Sequence, residues 1–327
     1  MNNTGRIPIY TSEQLLKIGT GEEITINEIR YVFDTGKTYL LQNDIEYTGS
    51  YNNIAQLIQN NEITFEGQGH QIIVTNDSGI KEYYTENSKY YIATNQYGYV
   101  LEGLQLYYDG IDNTGTGTHS NTATTWKDLS GNNRDGTLQN IDTATSWQED
   151  GLKFDGIDDY VLIGEMNYEN VTLEVVNTMA SIDDGIQIIL SNAENGGYDI
   201  YQRFDNRFIF DTWITQNNSY STVTTSQAPL QSIVSRYSNS GSYDGKTMKM
   251  RSSNGRTSYR ELSVTGSIGK PNNNTYMVLG TNPTGTQIAI QEQCFNGQIS
   301  SVRIYNRALT DEENAINYLN DRDRYGV

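Results

Sequence analysis

Short runs of β-forming residues, separated by turn residues, fill the chain from about residue 105 to its end. In several of these runs apolar and polar residues alternate, as in Thr172-Leu173-Glu174-Val175. Alternation places apolar side chains on one face of a strand and polar ones on the other, which is typical of antiparallel sheets with one buried face. The runs predicted as strands are 159–164, 171–177, 185–191, 198–214, 247–253, 276–281 and 298–306.

Turn residues divide the chain unevenly. Asp-Gly and Asn-Gly pairs recur from residue 109 to residue 297, whereas residues 1–105 contain none. Such pairs favour the positive φ angles of tight hairpin turns. Many short strands joined in this way predict a sandwich or a barrel, so we place a domain boundary near residues 100–105.

The first hundred residues have a different pattern. Thr11 and Gln14 form a capping pair for a short helix that Gly19 would end. We therefore predict a small β-rich attachment domain with one short helix over residues 1–103. Its β-forming runs are 38–49 and 63–77, and residues 78–100 are predicted to form a loop and a linking strand.

One clear helix is predicted near the C-terminus. Thr310 and Glu313 have the spacing of a capping box at its first turn. Ala315, Ile316 and Leu319 follow at helical spacing, and we expect them to pack one face of this helix on the sandwich.

The charge balance limits the partners of the protein. Its formal net charge is −18 and its sequence pI is about 4.4. Affinity for nucleic acid comes mostly from Lys and Arg that neutralise phosphates, so we expect neither nucleic acid nor an anionic membrane as a partner. A single cysteine, Cys294, excludes an internal disulfide, and the isolated His70 and His119 give no zinc pattern.

Three segments resemble the concanavalin A-like, laminin G-like jelly-roll domains found in bacteria and their phages. They are "LQLYYDG…TATTWKDLSGNNRDGTLQN" (104–140), "LKFDGIDDYVLIG" (152–164) and "FNGQISSVRIYNRALTDEENAINYL" (295–319). The resemblance implies a mainly β fold: an antiparallel two-sheet jelly-roll sandwich with a C-terminal helix over residues 104–327. The first hundred residues are more weakly similar to the openings of bacterial surface proteins built on β-helix-like rungs.

Two acidic loops are candidate calcium sites. Asp128, Asn132 and Asp135 place oxygens at short spacing on the loop 126–137, and some jelly-roll relatives bind calcium at such loops. The alternative is a loop closed by its own side-chain hydrogen bonds. For Asp155, Asp158 and Asp159 we expect a tight turn, and a calcium site is the alternative.

Aromatic residues give the best candidate for ligand contact. The segment 205–222 mixes aromatic residues with Asn and Gln, and sugars bind by stacking on rings while amides bond their hydroxyls. Trp213, Phe210 and Tyr220 are therefore predicted to contact a ligand, with a place in the core as the alternative. No run of clustered acids suggests a glycosidase, so we expect no enzymatic activity.

The start of the chain lacks the basic and apolar segments of a secretory signal. Because lectin-like domains act outside the cell, and release within a phage needs no signal, we expect a non-enzymatic protein of the virion surface. It would be a tail fibre or capsid decoration protein that binds host glycan or a neighbouring virion protein. The alternatives are an extracellular or cell-surface bacterial adhesin or carbohydrate-binding module and, third, a glycan hydrolase; a homo-oligomer is left open.

Overall fold

The computed structural model describes residues 6–48, 63–66, 70, 72–75, 81–87, 90–180, 185–203, 207–225, 235–272, 275–283 and 293–327. The chain divides into two units, Met1–Glu102 with Ala315–Asn317, and Gly103–Asn314 with Tyr318–Val327. Within the described ranges, no helix has both the length and the apolar character that a membrane crossing requires.

The first unit is a set of short strands, several of which lie parallel to their neighbours. Strands β1, β4 and β6 form a parallel sheet, β5 pairs in parallel with β7, and β2 and β3 form a hairpin. The bounds are β1 Arg6–Ile9, β2 Glu22–Ile26, β3 Ile29–Phe33, β4 Thr38–Leu41, β5 Ile45–Thr48, β6 Thr64–Glu66, β7 Ile72–Thr75, β8 Lys81–Asn87 and β9 Tyr90–Thr94.

The stretch predicted as a loop and a linking strand forms two paired strands instead. Strand β8 pairs antiparallel with β7 on one side and with β9 on the other. Tyr and Thr are abundant in both strands, and these residues favour extended backbone even where apolar and polar positions do not alternate.

The predicted first helix, α1 (Ser12–Leu15), is present. The Thr11 hydroxyl accepts from the Gln14 backbone N–H, and the Gln14 side chain accepts from the Thr11 backbone N–H. Gly19 follows with φ of 78°, a conformation that glycine adopts without steric cost. The capping pair is confirmed, whereas the helix already ends at Leu15, with Leu16 as its C-cap, so Gly19 does not terminate it.

The described residues of the second unit form sixteen strands and two helices. The strands are β10 Leu104–Asp109, β11 Thr125–Trp126, β12 Gly136–Gln139, β13 Trp147–Gln148, β14 Gly151–Asp155, β15 Tyr160–Gly164, β16 Val171–Met179, β17 Gln187–Ser191, β18 Tyr198–Gln202, β19 Phe208–Ile214, β20 Ser219–Thr224, β21 Arg236–Tyr243, β22 Thr247–Ser253, β23 Thr257–Ser263, β24 Met277–Leu279 and β25 Asn296–Tyr305. The helices are α2 Thr143–Ser146 and α3 Asp311–Tyr325.

These strands form two sheets of eight strands each. The front sheet has the order β11-β12-β15-β24-β17-β18-β19-β20, and the back sheet has the order β13-β14-β25-β16-β21-β22-β23 with β10 also paired to β25. Every strand pair described in this unit is antiparallel, and the main core lies between the sheets, so the two-sheet sandwich is confirmed. Core side chains include Phe154, Leu173, Val175, Ile189, Phe208, Phe210, Met250 and Val302.

One predicted strand is divided in two. Residues 198–214 form the neighbouring strands β18 and β19, which pair from Tyr198 with Thr212 to Gln202 with Phe208. A continuous run of β-forming residues cannot reveal this reversal, because the residues of both strands, among them Tyr, Ile and Phe, favour extended backbone. Residues 204–206, between these two strands, lie outside the described residues.

Glycines that follow Asp or Asn have two different roles. Gly156 has φ of 79°, so this position forms a turn as predicted. Gly110 does not have a positive φ, and a Cβ atom there would lie 2.4 Å from the Asp150 carbonyl oxygen. At Gly110 the missing side chain therefore permits close approach of two backbone segments rather than a hairpin turn.

The turn after Asp155 takes the chain from the back sheet to the front sheet. Asp155 Oδ1 accepts from the backbone N–H of Ile157 at 2.7 Å, and the buried Asp159 accepts from the Asp155 N–H at 2.9 Å. Two aspartates thus satisfy backbone donors that no strand partner reaches, which confirms the tight turn.

Helix α3 packs on the back sheet through a polar face, contrary to expectation. Its capping box of Thr310 and Glu313 is confirmed, but Leu319 is 45% exposed. Asn314 and Asp321 point to the sheet instead. The apolar spacing indicated the wrong face because the sheet presents charged and hydroxyl groups to the helix.

A buried arginine explains this polar contact. Arg303 of β25 is 1% exposed, donates through Nε to Glu174 at 2.8 Å, and forms two hydrogen bonds to Asp321 of 2.9 and 2.7 Å. Ser238 donates to the same Asp321 carboxylate, and Ser240 donates to the Asn314 side chain.

Removing Asp321 should destabilise the second unit strongly. Asp321→Ala breaks the buried ion pair with Arg303 and its two hydrogen bonds, while Glu174 still faces the guanidinium, so we expect a loss of about 3–5 kcal/mol in the free energy of unfolding. Asp323→Ala, in the same helix but in an exposed pair with Arg322, should cost about 0–1 kcal/mol. Urea unfolding followed by tryptophan fluorescence tests this, since all three tryptophans lie in the second unit; equal losses would contradict it.

Asp159 should make stability depend on pH. Burial raises its pKa to about 6, so the folded protein disfavours the ionised form. The resulting destabilisation is complete above pH 6 and disappears as the pH falls towards the unfolded value of about 4. Asp159→Asn should therefore be more stable than the wild type at pH 7.5, keep part of this advantage at pH 5 and lose most of it by pH 4; a constant difference in thermal unfolding across this range would refute the assignment.

Candidate functional site

The first candidate calcium residue, Asp128, is surrounded by hydrogen-bond donors. Its Oδ1 accepts from the backbone N–H groups of Tyr107 and Ser130, and its Oδ2 accepts from the Ser130 hydroxyl and the Arg134 N–H. Four donors at 2.9–3.1 Å use the acceptor capacity of this carboxylate.

The other two candidates on this loop also have partners. Asp135 accepts from Lys127 Nζ at 2.9 Å and from the Asp128 N–H at 3.0 Å. Asn132 donates through its side chain to the carbonyl oxygens of Leu104 and Gln105. These contacts favour the self-hydrogen-bonded loop, and calcium binding at Asp128, Asn132 and Asp135 stays a prediction.

The acids of the inter-sheet turn do lie together. Ligand atoms of Asp155, Asp158 and Asp159 all fall within 4.8 Å of one another. Asp155 and Asp159 are engaged by backbone N–H groups, as described above, so the turn accounts for two of the three side chains.

The predicted aromatic residues are divided between the two faces of β19. Phe210 is completely buried, and its ring packs beside Gly241 of the back sheet, so this side chain belongs to the core rather than to a ligand-contacting surface. Trp213 and Tyr220 lie on the outer face of the front sheet, where their rings meet edge to face with centroids 4.9 Å apart. Of the three predicted residues, these two share one surface.

Beside Tyr220 the outer face forms an open cleft of about 480 Å³. Neighbouring side chains on β18 and β19 alternate between core and surface, which brings Asp199, Tyr201 and Asp211 to this face. We call it the acid–tyrosine cleft; its lining residues are Ile186, Ile188, Ala193, Asp199, Tyr201, Asp211, Tyr220, Asn282 and Gln293.

Hydrogen bonds fix the tyrosines of the cleft. Tyr201 donates to Asp211 Oδ2 at 3.1 Å, and Tyr220 donates to the Gly196 carbonyl oxygen at 2.9 Å. Burial raises the pKa of both phenols, and the charges of Asp199 and Asp211 add to the effect. Both tyrosines therefore present neutral rings with fixed orientations.

The two carboxyl groups have unusual electrostatics. Burial raises the pKa of Asp199 well above its ordinary range, and the nearby charge of Asp211 raises it further. Burial also raises the pKa of Asp211, although hydrogen bonds from Thr222 and Tyr201 partly offset the effect. Among the described residues that line the cleft, none carries a positive charge.

Sequence reasoning missed Asp199, Tyr201 and Asp211. The available signal was the alternation in Tyr198-Asp199-Ile200-Tyr201, which puts both polar side chains on one face. Their proximity to Asp211 depends on the register between β18 and β19, which alternation within one strand does not determine.

Several solved structures align with part of this chain. The receptor-binding domain of botulinum neurotoxin mosaic serotype C/D is 15% identical over 67% of this chain and 51% of that one, with a TM-score of 0.48. The CBM40 of the Ruminococcus gnavus IT-sialidase is 14% identical over 52% and 96%, with a TM-score of 0.42. Domain 4 of the Geobacillus stearothermophilus arabinanase AbnA is 15% identical over 66% and 97%, with a TM-score of 0.45. The chain thus spans about half of the neurotoxin structure, and it spans 33% of a Trypanosoma rangeli sialidase.

Sequence comparison gives a more specific result for the second unit. No curated protein sequence matches the chain. A family model matches residues 155–314, from the inter-sheet turn to the first turn of α3. The model is that of the concanavalin A-like lectin/glucanases superfamily, so residues 155–314 are similar to that superfamily, in line with the resemblance of the sequence.

Proposed function

We propose that this protein is a non-enzymatic glycan-binding protein whose binding site is the acid–tyrosine cleft. The observation that supports the proposal is the combination, on the outer face of the front sheet, of oriented tyrosine rings with carboxyl and amide groups. Rings stack on the apolar face of a sugar, and the polar groups bond its hydroxyls. The superfamily to which residues 155–314 are similar is one of lectins and glucanases, which agrees with a carbohydrate ligand.

The setting we propose is the surface of a virion, where the protein would serve as a phage tail fibre or capsid decoration protein. Support for this part is the resemblance of segments 104–140, 152–164 and 295–319 to jelly rolls of bacteria and their phages. A bacterial adhesin or carbohydrate-binding module at the cell surface is the alternative setting. Mass spectrometry and imaging of purified particles distinguish the two, because particles without the protein would reject the virion setting.

A second candidate function, glycan hydrolysis, is favoured by one observation. Asp199 and Asp211 are directly opposed on neighbouring strands, and retaining glycosidases hold two carboxyl groups about 5–5.5 Å apart. The two candidates differ in turnover. Release of reducing sugar that disappears in Asp211→Asn would establish the hydrolase, and we expect no release from the wild type.

Loss of the Tyr220 ring from the acid–tyrosine cleft should weaken glycan binding. Tyr220→Ala removes a stacking surface, so affinity for a glycan selected on an array should fall about tenfold or more. Tyr259→Ala is the matched control, because Tyr259 is 37% exposed on β23 of the back sheet. Titration calorimetry measures both variants after tryptophan fluorescence has shown that they are folded; equal affinities of Tyr220→Ala and wild type would count against this cleft as the site.

A further inference from the structure

The buried Asp199 and the half-buried Asp211 form a pair of acids with unused acceptor atoms. They are register partners on β18 and β19 and face the same cleft. Asp199 is 7% exposed, and Oδ1 of each residue is buried without a hydrogen-bond partner among the described residues. Two such oxygens beside each other form an acceptor site that the described part of the protein does not fill.

Other buried acids of the same domain pair with arginine or, like Asp128 and Asp159, accept hydrogen bonds from backbone N–H groups. Glu174 and Asp321 share the guanidinium of Arg303, and Asp150 pairs with Arg236 at 2.6 Å. An isolated buried carboxylate is costly, and natural proteins retain such groups mainly where they act on a ligand. At Asp199 and Asp211, none of the described lining residues is positively charged. The pair therefore points to a cationic ligand group.

The walls of the cleft discriminate between kinds of cation. A calcium ion needs six to eight oxygen ligands, whereas here two carboxyl groups stand beside two amides that bond each other, Asn282 and Gln293, and otherwise among aromatic and aliphatic side chains. An ammonium group needs only a few acceptors, and it is also attracted to aromatic faces such as those of Tyr201 and Tyr220. The lining thus fits an ammonium group better than a divalent metal ion.

We propose that the acid–tyrosine cleft recognises amino sugars with a free amine, with Asp199 and Asp211 as acceptors for the sugar ammonium group. This inference rests on the proposed glycan-binding function and narrows its substrate class. The N-acetylated form of the same sugar offers one neutral N–H in place of three charged ones, and it therefore loses the charge-assisted hydrogen bonds.

The test compares two oligosaccharides that differ only in acetylation. The full chain is titrated with a glucosamine tetramer and with the corresponding N-acetylglucosamine tetramer, in the presence of a chelator. We expect the free amine to bind at least about tenfold more tightly, and Asp199→Asn to abolish this preference. Asp323→Asn, which changes the net charge equally in the exposed part of α3, should keep the preference.

A stability measurement separates binding from a structural role. Because burial disfavours the ionised form of Asp199, Asp199→Asn should raise the midpoint of thermal unfolding at neutral pH while it removes amine selectivity. A purely structural carboxylate would give the opposite result, with a lower midpoint and an unchanged selectivity. Asp211→Asn provides the same pair of readouts if the first variant does not fold.

The pH profile adds a further readout. Binding should weaken at low pH as Asp199 and Asp211 are protonated, and at high pH as the sugar amine loses its proton. Among the described residues, the other charged groups that act on the tyrosines of the cleft are Glu194, near Tyr220, and Arg203, near Tyr201. Neither replaces the pair, so a profile unchanged in Asp199→Asn would overturn the inference.

The outcomes distinguish this inference from the function on which it rests. Equal affinity for both tetramers, binding of neutral glycans only, or binding that requires calcium would overturn amine recognition and leave glycan binding intact. Failure to bind any glycan on an array would overturn both.

Discussion

The side chain of Arg303 is the central constraint on the second unit. A guanidinium with 1% exposure must have its charge matched inside the protein, and Glu174 from the next strand and Asp321 from α3 provide that match. Since one partner comes from the sheet and the other from the helix, the arginine fixes the helix on the sheet. The helix in turn covers the outer face of the back sheet around β16 and β25.

The two sheets therefore use their outer faces differently. On the back sheet, acids and an arginine are paired beneath α3. On the front sheet, the buried Asp199 and the half-buried Asp211 lie side by side with no basic residue among the described residues of their cleft. Acidic residues thus stabilise the fold on the back sheet, where arginine pairs with them. On the front sheet their unpaired charge destabilises the protein, and a bound ligand can remove that destabilisation.

The sequence predicted features that depend on near neighbours in the chain. The capping boxes at Thr11 and Thr310, the turn at Asp155 and the alternation that builds the two sheets are all local, and the structure contains them. The jelly-roll class followed from them and from the resemblance of three segments.

Features that depend on distant pairing were not predictable. The reversal between β18 and β19 creates the register that opposes Asp199 to Asp211, and the charge of Arg303 decides which face of α3 is buried. Phe210 and Trp213 are three positions apart, and they therefore lie on opposite faces of β19. Once the bounds of the strand are known, this odd spacing assigns Phe210 to the core and Trp213 to the outer surface.

The polar contact between α3 and the back sheet also bears on how the domain fails under stress. If this helix detaches, it uncovers mainly carboxylate, amide, hydroxyl and guanidinium groups, which water solvates well, with only a small apolar cluster of Val176, Tyr325 and Val327. Partial opening at the C-terminal end should therefore be reversible and should not start aggregation, because the apolar core between the sheets remains buried.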